Sequence, residues 1–153
     1  MKDSRVGSFG VLAMLIFGFI QLASIIQLEN SLIYSLPICL FWGRFSTLIY
    51  IEKFKYISYK SKTLSHKKYW RGLKKEAIVS IIFLALIITL NFSTSNAYKD
   101  IFKHLFLFFI SIVCSFKVPQ VLGKKIGGFN GDSCGACIII CETTLLLTHA
   151  IFH

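Results

Sequence analysis

Acid is scarce in this chain: 7 Asp and Glu stand against 17 Lys and Arg in 153 residues, a formal net charge of +10. Proline is almost missing, with two residues. No Ser-His-Asp set, Walker loop or zinc signature is visible, which leaves the common hydrolase and nucleotide-binding chemistries without support. The five cysteines are odd in number and sit mostly inside apolar runs, which argues against a disulfide framework. Cys134-x-x-Cys137 lacks the second pair that a structural metal site needs. Together with Cys141 these cysteines fall on one helical face, where small apolar side chains suit packing. No internal repeat is evident. The opening apolar run is too long for a cleavable signal and lacks a small-residue cleavage pattern.

What is there is apolar. Hydrophobic residues make up 55% of the chain, mean hydropathy is +0.68, and there are 15 Phe and 6 Tyr. A soluble domain of this length has too little interior to hide so much apolar surface. The expectation is therefore an all-α, polytopic integral membrane bundle. Five segments approach the ~20 residues that a helix needs to cross the hydrocarbon: residues 9–28, 32–51, 77–92, 101–116 and 134–152. The third and fourth are short and suit a thin bilayer or a paired hairpin. Residues 1–153 read as a single membrane domain.

Charge placement orients these spans. The segment 52–76 holds nine Lys and Arg, a density that belongs on the cytoplasmic side. Alternating outward from it puts residues 1–10 and 117–133 in the cytoplasm and the carboxyl terminus on the far side. Basic residues confined to such loops point to anionic lipid rather than nucleic acid as the partner.

Two glycine-acid stretches then share one face of the membrane. The first, MKDSRVGSFG, places Asp3 between Lys2 and Arg5, with Ser4 beside them. One carboxylate and two cations in so short a segment can hold a divalent cation and phosphate oxygens together. The second, KKIGGFNGDSCGA, carries Gly127, Gly128, Gly131 and Asp132. Three glycines in five residues suit a loop whose amides approach an anion. Ser133 could cap the helix that follows, and a helix start attracts phosphate. Arg44 lies within the second span, where an arginine is costly and usually paired or functional. Glu142, in the last span, is one available partner. His104, His149 and His153 show no ligand spacing and read as interfacial residues.

At these residues the chain resembles the cobalamin synthase family, the adenosylcobinamide-GDP ribazoletransferases. MKDSRVGSFGVLA is similar to that family's MKDSRIGTFGVLAL, and GGFNGDSCGA followed by Glu142 to its GGLTGDTLGALNELSE. Arg44 and Tyr56 fall where the family has an arginine in a span and a pYAR-like tail. Asn130 replaces the usual Thr, and the three cysteines of the last span replace small or apolar positions. The family's upstream motif of the GG-x-H-x-D-G-x-x-D-x-x-D-G type has no counterpart here. The resemblance thus implies the carboxyl-terminal part of such an enzyme, with a separately encoded amino-terminal half as a possible partner.

The implied reaction joins α-ribazole, or its 5′-phosphate, to adenosylcobinamide-GDP with release of GMP, at the cell inner membrane and with Mg2+. In that scheme Asp3 and Asp132 are the catalytic carboxylates, and Asp3 is also a metal ligand. Lys2, Ser4, Arg5, Arg44, Gly127, Gly128 and Gly131 contact substrate and its phosphates. Two other readings compete. A membrane phosphotransferase acting on CDP-alcohols shares the logic, although its D-x-x-D-G-x-x-A-R pattern is absent. A non-enzymatic membrane subunit or small transporter would also accommodate an intramembrane Arg and Glu.

Overall fold

The computed structural model describes residues 8–57 and 101–152, with positions 72, 73, 75, 78, 81, 82, 85, 86 and 89 between them. Lys2, Asp3, Ser4 and Arg5 lie outside the described residues, as do most of residues 58–100. The long elements are all helical: α1 (Ser8–Leu28), α2 (Leu32–Lys53), α3 (Ile101–Ile126) and α4 (Gly131–Ile151), with a 3-10 turn, Glu29–Ser31, joining α1 to α2. A helical membrane bundle is what the composition requires. Ser8–Leu28, Leu105–Ile126 and Gly131–Ile151 are long and apolar enough to cross a bilayer. The span expected at 77–92 falls largely outside the described residues; its described positions are helical.

Polar side chains inside these helices bond their own backbone. Ser24 Oγ donates to Ile20 O at 2.8 Å, Ser111 Oγ to Leu107 O at 2.9 Å and Thr144 Oγ1 to Ile140 O at 2.7 Å. This local bonding removes the cost of placing hydroxyls where lipid offers no partner. The apolar side chains of α1 point outward, Phe9 at 86% exposure, as suits a surface solvated by lipid rather than water.

One boundary differs from the expected one. The fourth span does not stop at residue 116: α3 runs on to Ile126 through Pro119. The added stretch is amphipathic. Val118 and Leu122 pack against the buried Tyr50–Phe129–Cys137 cluster, while Lys117, Lys124 and Lys125 are exposed. Lys124 and Lys125 also stand in the last turn, where cations favour the helix dipole. The loop expected over 117–133 shrinks to residues 127–130.

The main core gathers Leu28, Cys39, Trp42, Cys114, Cys141, Leu145, Leu146 and Ala150. Trp42 is ringed by Phe41, Phe45 and Phe108 at centroid distances of 5.3, 5.5 and 5.6 Å. Small residues let α2 and α4 approach closely. Ser46 Oγ lies 3.4 Å from Cys137 Sγ, and Cys141 Sγ lies 3.9 Å from Trp42 O and 3.7 Å from Cys114 Sγ. All five cysteines are free thiols, and Cys39, Cys114, Cys137 and Cys141 are buried, the packing role expected of them. His149, expected at an interface, is buried instead at 6% exposure; it lies near the end of α4 but on its packed side.

The close α2–α4 seam makes a testable demand. Cys141→Ala should leave thermal unfolding in detergent nearly unchanged, whereas Cys141→Leu should destabilise by about 1–3 kcal/mol through overpacking. Equal tolerance of both would show that the seam is not tightly packed.

Candidate functional site

The loop between α3 and α4 is pinned from several directions. Gly127 adopts φ 79° and its N–H donates to Gly123 O at 2.9 Å, closing the end of α3 in the left-handed turn that glycine favours. Gly128 has φ 158°, and a Cβ there would collide with the carbonyl oxygen of Lys55. That close approach is a backbone pairing. Phe129 N–H donates to Lys55 O at 2.9 Å, and Ile57 N–H donates to Phe129 O at 2.8 Å. Together these form a parallel bridge between Tyr56 and Phe129. The buried Tyr50 hydroxyl donates to Gly128 O at 2.9 Å. The Phe129 ring, itself buried, rests on Tyr56 and Tyr50 at 5.4 and 6.0 Å.

Asn130 then starts α4. Its Oδ1 accepts from Ser133 N–H at 2.7 Å, and Ser133 Oγ accepts from Asn130 N–H at 2.8 Å. This is a reciprocal capping box. The sequence points to Ser133 as the cap; the cap is Asn130, and Ser133 answers it from the third helical position. Backbone geometry therefore accounts for Gly127 and Gly128. Gly131 is different: it is exposed, its φ is not positive, and a Cβ would meet nothing within 4 Å. It opens the N-terminus of α4 beside the exposed Asp132.

Deeper in the bundle, Arg44 Nη1 pairs with Glu142 Oε1. Arg44 lies nine residues before Lys53, and Glu142 eleven after Gly131, so the two stand roughly 14 Å and 16 Å from their helix ends. Those depths agree because α2 and α4 run antiparallel with the Tyr56–Phe129 bridge tying their near ends. The environments are unequal: the Arg44 side chain is 60% exposed, while Glu142 is buried. Glu142 lies over Gly43, where a Cβ would collide with its Cγ.

These groups share one side of the seam. Gly131, Gly135, Ile138 and Glu142 recur at i, i+4, i+7 and i+11 along α4, a single helical face. Arg44, Thr47 and Ile51 recur at i, i+3 and i+7 along α2. The ion pair joins the two stripes, and a Cβ on Gly135 would also meet nothing within 4 Å. The two stripes therefore run from the exposed start of α4 to the Arg44 guanidinium. α1 is held to α4 farther along, where Gln21 Nε2 donates to Thr143 Oγ1 at 2.8 Å. Residues 8–16 of α1 are exposed throughout.

The structure thus places Gly131 and Arg44 on facing stripes, with Asp132 exposed beside Gly131, and gives Gly127 and Gly128 a backbone role in the loop between α3 and α4. Lys2, Asp3, Ser4 and Arg5 fall outside the described residues. Magnesium finds an incomplete set: Asp132 is one exposed carboxylate, and among the described residues no group of three or more His, Cys, Asp or Glu converges. One carboxylate is too few for a cation cage by itself, and Asp3, the expected ligand, lies outside the described residues, so no step below runs through a metal. Gly43, Tyr50 and Phe129 were not singled out from the sequence. Only Gly43, next to Arg44, carried a signal, since a buried salt bridge between two helices needs room for its shorter arm.

The family model of cobalamin-5-phosphate synthase matches residues 1–150. The adenosylcobinamide-GDP ribazoletransferase of Prochlorococcus marinus (strain SARG) is 31% identical over 152 residues, covering 99% of this chain and 59% of that protein. The enzymes of the same name from P. marinus (strain MIT 9313) and Brevibacillus brevis are 32% and 28% identical. They are covered over 59% and 56% of their lengths, and this chain over 99% and 96%. The chain therefore spans a little under three-fifths of these relatives. No solved structure matches it. With its family match extending over nearly its whole length, this chain belongs to the cobalamin-5-phosphate synthase family.

Proposed function

We propose that this chain forms the phosphate-handling part of an adenosylcobinamide-GDP ribazoletransferase. The reaction joins α-ribazole, or its 5′-phosphate, to adenosylcobinamide-GDP and releases GMP. The observation that supports this reading is the Arg44–Glu142 pair where the two stripes meet, with Gly131 and Asp132 exposed at the start of α4. The stripes would form the groove that a phosphate ester enters. The ribazole hydroxyl oxygen bonds to the phosphorus attached to cobinamide, the bond from that phosphorus to the oxygen of GMP breaks, and the hydroxyl proton passes to a base. Phosphoryl transfer of this kind depends mainly on positioning and on stabilising charge. Arg44 offers a planar fork of donors to phosphate oxygens. The first N–H groups of α4 add a positive end that Gly131 leaves uncovered. Asp132 stands beside that end, roughly 15 Å along α4 from Glu142, so it would meet a different part of the substrate from Arg44.

Asp3, Lys2, Ser4 and Arg5 belong to the proposal through the family motif, as does Mg2+, which would neutralise phosphate charge. The remaining carboxylates would come from the part of the relatives that this chain does not span. The start of α4 lies beside Lys55, in the first part of the basic segment 52–76, which supports a site on the cytoplasmic face of the inner membrane with the end of α4 on the opposite side.

The test is GMP release from adenosylcobinamide-GDP and α-ribazole. This chain is reconstituted in membranes with the missing segment of the P. marinus relative supplied as a second polypeptide. Arg44→Ala and Asp132→Ala should each lower turnover by roughly 100-fold or more with membrane insertion unchanged. Turnover at the normal rate in both variants would end the proposal. The glycines should separate by mechanism. Gly131→Ala should cut turnover about tenfold at an unchanged thermal midpoint, because it crowds only the ligand. Gly128→Ala should lose about 1–3 kcal/mol of stability from backbone strain.

A further inference from the structure

The pair at the floor of the groove is lopsided, and the lopsidedness indicates what Glu142 is for. Its carboxylate is buried, while the guanidinium it touches has its side chain 60% exposed. A buried carboxylate deprived of its cation is strongly unfavourable, so a ligand anion cannot simply take Arg44 away from Glu142. A guanidinium, however, has five N–H donors in a rigid fork and can serve two acceptors at once. Glu142 is held in turn, since its stem crosses α2 over Gly43, where any Cβ would strike it. Thr47 Oγ1 donates to Arg44 O at 2.6 Å and ties the backbone at the same turn.

We propose that Glu142 is a positioning residue, which holds Arg44 by one edge so that its other donors face a phosphate or diphosphate group in the groove, and that Gly43 is the notch that permits it. The inference rests on the phosphate reading of Arg44 given above. A fork presented edge-on matches two oxygens of one phosphate, and the nucleoside diphosphate ester is the phosphate-bearing ligand of the reaction proposed above. Gln21, bonded to Thr143 on the next position of α4, is a neutral neighbour. Glu142 is the carboxylate that the described structure sets against Arg44.

Two roles for Glu142 predict opposite signs, which makes the inference testable by binding. A carboxylate that only competes with the ligand for Arg44 weakens anion binding, so removing its charge would tighten it. A carboxylate that aims Arg44 strengthens binding, so removing it would loosen it. The experiment measures GDP affinity of the full chain in lipid nanodiscs by titration calorimetry, with thermal unfolding followed for each variant. Glu142→Gln, which keeps the shape, should weaken GDP binding about tenfold. Gly43→Ala should do the same by pushing Glu142 aside. In a Glu142→Ala background, Gly43→Ala should add nothing, because the atom it strikes is gone.

Unchanged or tighter binding in Glu142→Gln overturns the positioning role while leaving the phosphate reading intact. Additive effects in the double variant overturn the notch. A different pattern, in which the unaltered chain fails to bind GDP or Arg44→Ala binds it equally well, overturns the phosphate reading and this inference with it.

Discussion

The close approach of α2 to α4 is the constraint on which the rest of this bundle depends. Helices in lipid gain little from hydrophobic burial against each other, so they associate through tight packing and a few polar contacts. Here the approach is made by Gly43 and Ser46 on one helix and Cys137 and Cys141 on the other. Larger side chains at these positions would separate the backbones. That separation would pull Glu142 from Arg44 and move Tyr50 away from Gly128 O. Packing at the seam and geometry at the groove are therefore one property. Cysteine serves this seam well, being small, apolar and polarisable, and its frequency here reflects packing rather than chemistry.

Rigidity of the 127–130 loop follows from the same seam. Three of the loop's four N–H groups, those of Gly127, Phe129 and Asn130, are already paired within the protein, so the loop is a fixed rim rather than a set of free donors. A flexible glycine loop would spend binding energy on ordering itself. The loop here is fixed by the Tyr56–Phe129 bridge, the Tyr50 hydroxyl and the Asn130–Ser133 box. Its glycines consequently act in two ways. Gly127 and Gly128 let the chain turn and touch residue 55, and Gly131 leaves the end of α4 bare.

Much of this was legible in the sequence where the signal was local. Long apolar runs announced membrane helices, because lipid demands continuous helix and apolar surface. The end of α3 was less visible. Residues from 117 onward read as a loop, but Val118 and Leu122 pack against a cluster that includes Tyr50, from a distant part of the sequence. Cap identity failed for a related reason: Asn130 and Ser133 are both good capping types, and only the backbone shows that Asn130 is extended. Arg44 and Glu142 stood out as charges within apolar runs, which a membrane protein places only with a purpose. Their pairing needed the antiparallel alignment of α2 and α4. Tyr50 gave no sign at all, since a tyrosine near a span end is usually an interfacial anchor.

The exposure of Arg44 carries one more consequence. A guanidinium facing lipid at this depth costs about 2.5–3.5 kcal/mol on insertion scales and far more in simulations of an isolated helix. Pairing with Glu142 offsets part of that cost, but the pair is made at one edge and the outer donors still need acceptors. Water can supply them, and so can phosphate. An open stripe of Gly131, Gly135 and Thr47 above the pair gives water its route, because glycine and threonine on facing helices leave no apolar seal. The Arg44–Glu142 pair, neutral as a unit, also spares the bundle a bare cation between its helices.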